Sequence, residues 1–224
     1  MNIAVIETVR RRGVVGCVKQ AFEHARHQAS RIPYLRERHV WYRLNLPFIA
    51  PPPPLPEGMY LQQAGYDELP LLQQLETVGR FEAECRLSAG ADLWLIRDHT
   101  TAAACSFWIF WDRTPVLAAS HGWLTLPEGI VCLEDSVTAP SYRGRGLAPA
   151  GWARAAAQLS KQGVSNIITK IEEQNAPSRR AVEKIGFREM AVMDLERVWM
   201  MRHVEVNPCA DDAAASFLRE NLTR

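Results

Sequence analysis

The chain has 224 residues, 47% hydrophobic and 23% charged, with 26 Lys and Arg against 25 Asp and Glu. This is the balance of an ordinary globular protein, long enough for one well-buried domain and an appendage, and its bulk charge selects no partner class. No run of about 18 apolar residues is present to span a membrane.

The charge is nevertheless uneven. Residues 1–50 carry nine Lys and Arg against three Asp and Glu, +6, which leaves −5 for the remainder of a chain whose total is +1. Met1–Arg12 has Glu7 inside its one apolar stretch and basic residues after it, the reverse of a signal peptide. Cys17, Cys85, Cys105, Cys132 and Cys209 are odd in number and share no spacing. Several lie in apolar, strand-like runs and read as buried free thiols, which fits a reducing, cytoplasmic setting.

In chain order, residues 1–32 read as a helix, with Val14, Val15, Val18, Phe22 and Ala25 on one face and Arg11, Arg12, Lys19 and Arg26 elsewhere. Such a basic amphipathic helix suits docking on an anionic membrane surface or a protein, or packing on its own domain. His39–Phe48 is aromatic and β-branched, a strand. Pro51–Pro56 (P-P-P-P-L-P) is stiff polyproline and reads as a linker between two units. The division expected is a basic N-terminal extension at 1–50, a proline-rich linker at 51–57, the main domain at 58–205, and a tail with a short helix at 206–224.

Within the main domain, Met59–Gln63 reads as a strand. Tyr66–Val78, with leucines at 69, 72 and 75, reads as a helix, and Phe81–Leu87 as a second. Asp92–Arg97 and Ala102–Trp111 are apolar strands, the latter large and apolar on both faces and so central and covered twice. Leu117–Leu126, containing His121, is a weaker strand. Trp94, Trp108, Trp111 and Trp123 read as core, with one of them available to an acceptor pocket.

Val131–Ala148 (V-C-L-E-D-S-V-T-A-P-S-Y-R-G-R-G-L-A) is the most informative stretch: a strand, a glycine turn and the start of a helix. Gly144 and Gly146 permit backbone angles that side chains forbid and let a ligand approach closely. The helix that follows, ending near Gln162 before Gly163, begins with N–H groups that have no partner inside it and attract an anion. Asn166–Ile171 is then a strand, Pro177–Ile185 a helix with Asn175 at its start, Phe187–Met201 one or two strands, and Asp211–Asn221 a terminal helix. Strands and helices in this order make a mixed α/β domain of about 150 residues.

A P-loop is excluded because no Lys follows the glycines where a phosphate needs one, and a dinucleotide fingerprint because Pro149 takes the last glycine's place. What the stretch resembles is the acetyl-CoA-binding signature of the GNAT superfamily, the Gcn5-related N-acetyltransferases. A second segment, N-A-P-S-R-R-A-V-E-K-I-G-F from Asn175 to Phe187, is similar to the same family's next strand-to-helix passage. The two lie about 30 residues apart with a helix and a strand between them.

The resemblance implies a GNAT-like fold, α/β with a mostly antiparallel sheet flanked by helices, and an acyl-CoA-dependent N-acyltransferase using acetyl-CoA as co-substrate. It further implies that Ser136, Val137 and Thr138 pair with the pantetheine amides. The amides of Arg143, Gly144, Arg145, Gly146, Leu147 and Ala148 would cradle the pyrophosphate, and Asn175 and Ser178 would contact the pantetheine arm. The tyrosine that protonates the departing sulfur in many members is here Val182, which leaves the general acid open.

An amine must lose a proton before it attacks a thioester, and a positioned carboxylate or His supplies about 10²–10⁴-fold in rate by taking it. On a regular strand residues two apart share a face, so Cys132, Glu134, Ser136 and Thr138 are expected together. Glu134 is the expected base, and His121 is the second candidate if its strand adjoins this one. Asp135, on the other face, is expected to be structural, and Cys132 buried packing.

Cys17, His24 and His27 lack metal-ligand spacing, so no metal is expected. The acceptor, a small-molecule or protein amine, is open. So is the oligomeric state, a homodimer included. Nucleic acid is disfavoured as a partner. The alternative to an enzyme is a CoA-binding interaction module, weak or inactive in catalysis, that docks through its basic arm.

Overall fold

The computed structural model describes residues 34–47, 51–75, 77–99, 102–199, 201–209 and 213–223. The helix expected over residues 1–32, with Cys17, His24 and His27, lies outside them. Among the described residues the strands are β1 (Tyr34–Asn45), β2 (Tyr60–Ala64), β3 (Asp92–Arg97), β4 (Ala103–Phe110), β5 (Arg113–Pro115), β6 (Trp123–Thr125), β7 (Ile130–Thr138), β8 (Asn166–Glu172), β9 (Arg188–Val198) and β10 (Met201–Pro208). The helices are α1 (Leu69–Leu72), α2 (Arg80–Ser88), α3 (Leu147–Lys161), α4 (Ala176–Lys184) and α5 (Ala213–Leu222). None of the described helices is long and apolar enough to cross a membrane.

Eight strands form one sheet in the order β10-β9-β1-β8-β7-β4-β3-β2. Every neighbouring pair is antiparallel except β7 with β8. One face packs Trp41, Trp108 and Phe110 against Leu69 and Leu72 of α1, Ala83 of α2 and Leu218 of α5. The other packs Phe107, Ile109, Leu133 and Ile167 against Trp152, Ala156 and Leu159 of α3 and Val182 of α4. All eight residues of β4 are buried, as a strand apolar on both faces requires when helices cover it twice. This is the mixed α/β, mostly antiparallel architecture expected.

Three local expectations change. The leucines at 69, 72 and 75 are all buried, but a step of three is the period of a 3₁₀ turn. Accordingly Tyr66–Glu68 and Gln73–Leu75 are 3₁₀ and only the four residues of α1 between them are α-helical. Of the weak strand at 117–126 only Trp123–Thr125 is extended, as β6, which pairs with β5 in a hairpin. The turn before β6 holds His121 at φ 59° and exposed.

The third change concerns the proline run. The strand expected before it is β1, yet β1 lies inside the sheet, paired with β8 on one side and β9 on the other. Pro51–Pro56 therefore joins two strands of one sheet rather than two packing units. At about 3 Å per residue polyproline is long enough to carry the chain across the α3 face. There Arg154 of α3 donates a hydrogen bond to the Pro53 carbonyl at 2.5 Å, and Leu55 packs against the Leu147 cluster.

Candidate active site

The site is made by two parallel strands that part. β7 and β8 pair only at Ile130–Asn166, Val131–Ile167 and Cys132–Ile168. Beyond that point β7 stays held by β4 as far as Thr138, and β8 stays held by β1 as far as Glu172. From Leu133 and Thr169 onward the two facing edges have no strand partner among the described residues, and a wedge opens between them.

At the open end, β7 leads through a 3₁₀ turn, Pro140–Tyr142, into the glycine loop and α3. Gly144 and Gly146 take φ 76° and 74°, the left-handed region that glycine occupies without a Cβ penalty. A Cβ at either would meet nothing within 4 Å, so the space over the loop is free for a ligand. The first hydrogen bond inside the helix runs from Ala150 N–H to the Gly146 carbonyl at 3.1 Å. The amides of Gly146, Leu147 and Ala148 precede it and face out at the positive end of a fifteen-residue helix. Arg143 and Arg145 are exposed; Arg143 Nε donates to the Thr138 carbonyl at 3.2 Å, and the Arg145 guanidinium lies 5.3 Å from the Tyr142 ring centroid. Asn175 caps α4, its side-chain oxygen accepting from the Ser178 N–H at 3.2 Å, and its side chain is exposed.

At the closed end, β7 departs from regular alternation. Trp108 of β4 faces Glu134 and Ser106 faces Val137, so Asp135 and Ser136 together oppose the single Phe107. This is a β-bulge, and Asp135 at φ 47° makes it, a conformation Asp tolerates better than most side chains. The bulge corrects the face expected from simple alternation. Glu134 shares its face with Cys132 and Val137, while Thr138 pairs with Cys105 and its hydroxyl reaches the Cys105 sulfur at 3.3 Å. Asp135 is brought round to the Glu134 side, where both line one cavity.

That cavity, of about 590 Å³, opens on the α2 side of the sheet, with Trp111, Trp123 and Phe110 in its walls. Glu134 is buried at its floor and accepts at Oε1 from Lys170 Nζ at 2.5 Å and from the Cys132 thiol at 3.3 Å. Both bonds fall on one oxygen, which leaves Oε2 for a ligand. Burial pushes the Glu134 carboxyl up from its ordinary value, and Lys170 pulls it part of the way back. Burial alone would strip the Lys170 proton, but Glu134 outweighs it and the ammonium is held above its ordinary range. Cys132 is fully buried beside Glu134 and its thiol is pushed well up, first by burial, so it is a packed thiol and no nucleophile.

A second charged chain supports the bulge. Arg86 of α2 reaches Asp135 at 2.5 Å and Glu82 at 2.6 Å, with its guanidinium over Trp108 and Phe110. His121 is not among the cavity residues, since β6 pairs with β5 and does not adjoin β7. Lys170 and Arg86 escaped the sequence reading. A lone Lys inside the apolar strand I-I-T-K-I was the available signal for the first.

The fold has counterparts. A model of the acetyltransferase (GNAT) family matches residues 66–187. Among solved structures, a protein described as a GNAT-family acetyltransferase from Novosphingobium aromaticivorans superposes with TM-score 0.53 at 18% identity, over 73% of this chain and 66% of its own. A GCN5-related N-acetyltransferase from Sphaerobacter thermophilus gives 0.53 at 14%, over 80% and 56%. A tandem GNAT protein of the clavulanic acid biosynthesis pathway gives 0.52 at 15%, over 84% and 59%. This chain thus spans between about half and two thirds of those proteins, and at such identity they speak for the fold alone. Compared with curated proteins, the chain matches none. With a family model covering more than half its length, this chain belongs to the GNAT acetyltransferase family.

Proposed function

We propose that the chain is an N-acyltransferase that moves an acetyl group from acetyl-CoA to a primary amine by direct attack within a ternary complex. One observation carries the reading: a strand wedge runs from a glycine-turn helix start to a buried carboxylate, and a cavity opens on the far side of that carboxylate. The outward amides of Gly146, Leu147 and Ala148 and the unobstructed space over Gly144 suit a pyrophosphate. The free edge of Ser136–Thr138 suits the pantetheine amides, with Asn175 and Ser178 across the wedge. The co-substrate supplies an activated acyl carbonyl and a thiol leaving group of pKa about 8.5. Glu134 Oε2 takes the proton from the attacking amine, and the bulge and Arg86 fix where that oxygen lies. Walls formed by Trp111 and Trp123 hold the acceptor and exclude water from it.

The test is isothermal titration with CoA, followed by incubation with acetyl-CoA and a panel of amines, read as free thiol. Saturable binding and amine-dependent thiol release are the expected results, and absence of CoA binding overturns the reading. Binding without turnover on any amine would favour the alternative, a CoA-binding interaction module. Val182, sealed in the core at 1% exposure where many relatives of this fold carry an acid, is the observation on that side.

A further inference from the structure

We infer that the Lys170 ammonium holds the departing thiolate, its charge set against the sulfur while Glu134 carries the proton. The inference rests on the acyltransfer reading above.

The register places it. The last paired residues before the strands part are Cys132 and Ile168. The next side chains on the cavity face are two further along each strand, Glu134 on β7 and Lys170 on β8, and they join across the gap at 2.5 Å. The ion pair therefore bridges the wedge at its apex, on the side where the cavity opens. A thioester carried up the wedge meets this pair before it meets the acceptor. Lys170 Nζ has three N–H donors, of which one goes to Glu134 and one to the Pro115 carbonyl at 3.3 Å. The third is available to sulfur.

Elimination points the same way. The chain has five tyrosines, all within the described residues, and none lines the cavity. Tyr42 is tied to Arg179, Glu183 and Glu189, Tyr34 to Glu196, and Tyr66 to Ser88. Tyr60 lies against the His99 ring, tilted at 33°, and Tyr142 ends the 3₁₀ turn before the glycine loop. Cys132 is committed to Glu134. Among the described residues, Lys170 alone combines a positive charge, a place at the wedge apex and contact with the carboxyl that carries the proton.

The proton balance closes on this pair. The acceptor sheds its first proton to solvent and enters as a free amine. Its lone pair forms the C–N bond, the C–S bond breaks, and the electron pair leaves on sulfur. Glu134 accepts the one proton the nitrogen loses in becoming an amide, the Lys170 ammonium stabilises the thiolate and keeps its own proton, and Glu134 then passes the proton it took to the sulfur. Amide and free thiol are the products, and the ion pair is restored. The titratable groups facing Lys170 are Glu134, Cys132 and Asp135 from β7, with Glu37 and His39 from β1.

The test reads the thiol of bound CoA directly, by its thiolate absorbance against pH, without turnover. With the Lys170 ammonium at sulfur, bound CoA in the wild type ionises about one pH unit or more below free CoA. In Lys170→Met that shift vanishes, while CoA affinity changes less than about threefold. Amine acetylation falls about 10²–10³-fold in Lys170→Met and falls less in Lys170→Arg, which keeps the charge. If Lys170→Met does not fold, the double variant Glu134→Gln/Lys170→Met removes both buried charges and is read the same way. An unshifted bound thiol in the wild type, or a shift that survives loss of Lys170, overturns the proposal and leaves the acyltransferase reading standing. A chain that binds no CoA overturns both.

Discussion

At Glu134 the same atoms serve catalysis and stability. Glu134→Gln keeps the shape but removes the base, and acetyl transfer is expected to fall about 10²–10⁴-fold. It also leaves the Lys170 ammonium buried without its counter-charge, which costs about 3 kcal/mol at neutral pH. The pH dependence distinguishes these effects from simple misfolding. In the wild type the folded state holds the Lys170 proton more tightly than the unfolded chain does. Its contribution is therefore complete below about pH 10.4 and is lost as pH climbs through the raised folded value. Without Glu134, burial dominates, and folded Lys170 sheds its proton earlier than the unfolded chain. The sign reverses, and Glu134→Gln gains stability as pH rises from neutrality towards 10, where the wild type gains none from this group. Urea midpoints of both proteins across that range decide it; parallel curves would refute the pairing.

Among the elements, α3 is where packing decides against propensity. Gly151 lies in the middle of this helix, where Ala is ordinarily favoured by about 1 kcal/mol. A Cβ there would stand 2.7 Å from Ile96 Cδ1 and 3.1 Å from Phe107 Cε1, both buried in the sheet face beneath. Overpacking of this kind costs about 1–3 kcal/mol and outweighs the propensity gain, so Gly151→Ala is expected to lower the melting temperature by roughly 2–4 °C. A rise on calorimetry would mean that α3 can lift off the sheet. Helices and strands in this half of the chain were legible because each has its own period and its own stops: Gly146 before α3, Gly163 after it, Asn175 capping α4. The bulge was not. Asp135 is an unremarkable residue in a strand, and only pairing against the single Phe107 turns it to φ 47° and reverses the faces beyond it. Nor was the Glu134–Lys170 pair legible, because the two residues are 36 apart and meet through strand register alone.

For the molecule as a whole, the placement of β1 matters most, and local sequence could not reveal it. A strand before a stiff proline run reads naturally as part of an appendage, since nothing in H-V-W-Y-R-L-N-L names its neighbours. In the sheet it separates β8 from β9 and runs beside the whole of β8, including the part of β8 that forms one side of the wedge. Val40, Trp41, Tyr42 and Leu44 are each no more than 3% exposed. At about 1.5–3 kcal/mol for each buried side chain they contribute about 6–12 kcal/mol, comparable to the entire stability of a typical domain. A chain beginning at Pro51 retains every residue of the family match and both signature motifs, yet it is expected not to fold. Trp41 would be missing from beneath Lys170, whose Nζ stands 6.0 Å from its ring, and β8 would face solvent along the edge β1 now covers. A chain beginning at Tyr34 keeps β1 and is expected to unfold cooperatively and to bind CoA. Circular dichroism melts of the two truncations, with CoA titration of whichever folds, measure this. A cooperative, CoA-binding 51–224 fragment would show that the strand is an accessory and that the wedge stands without it.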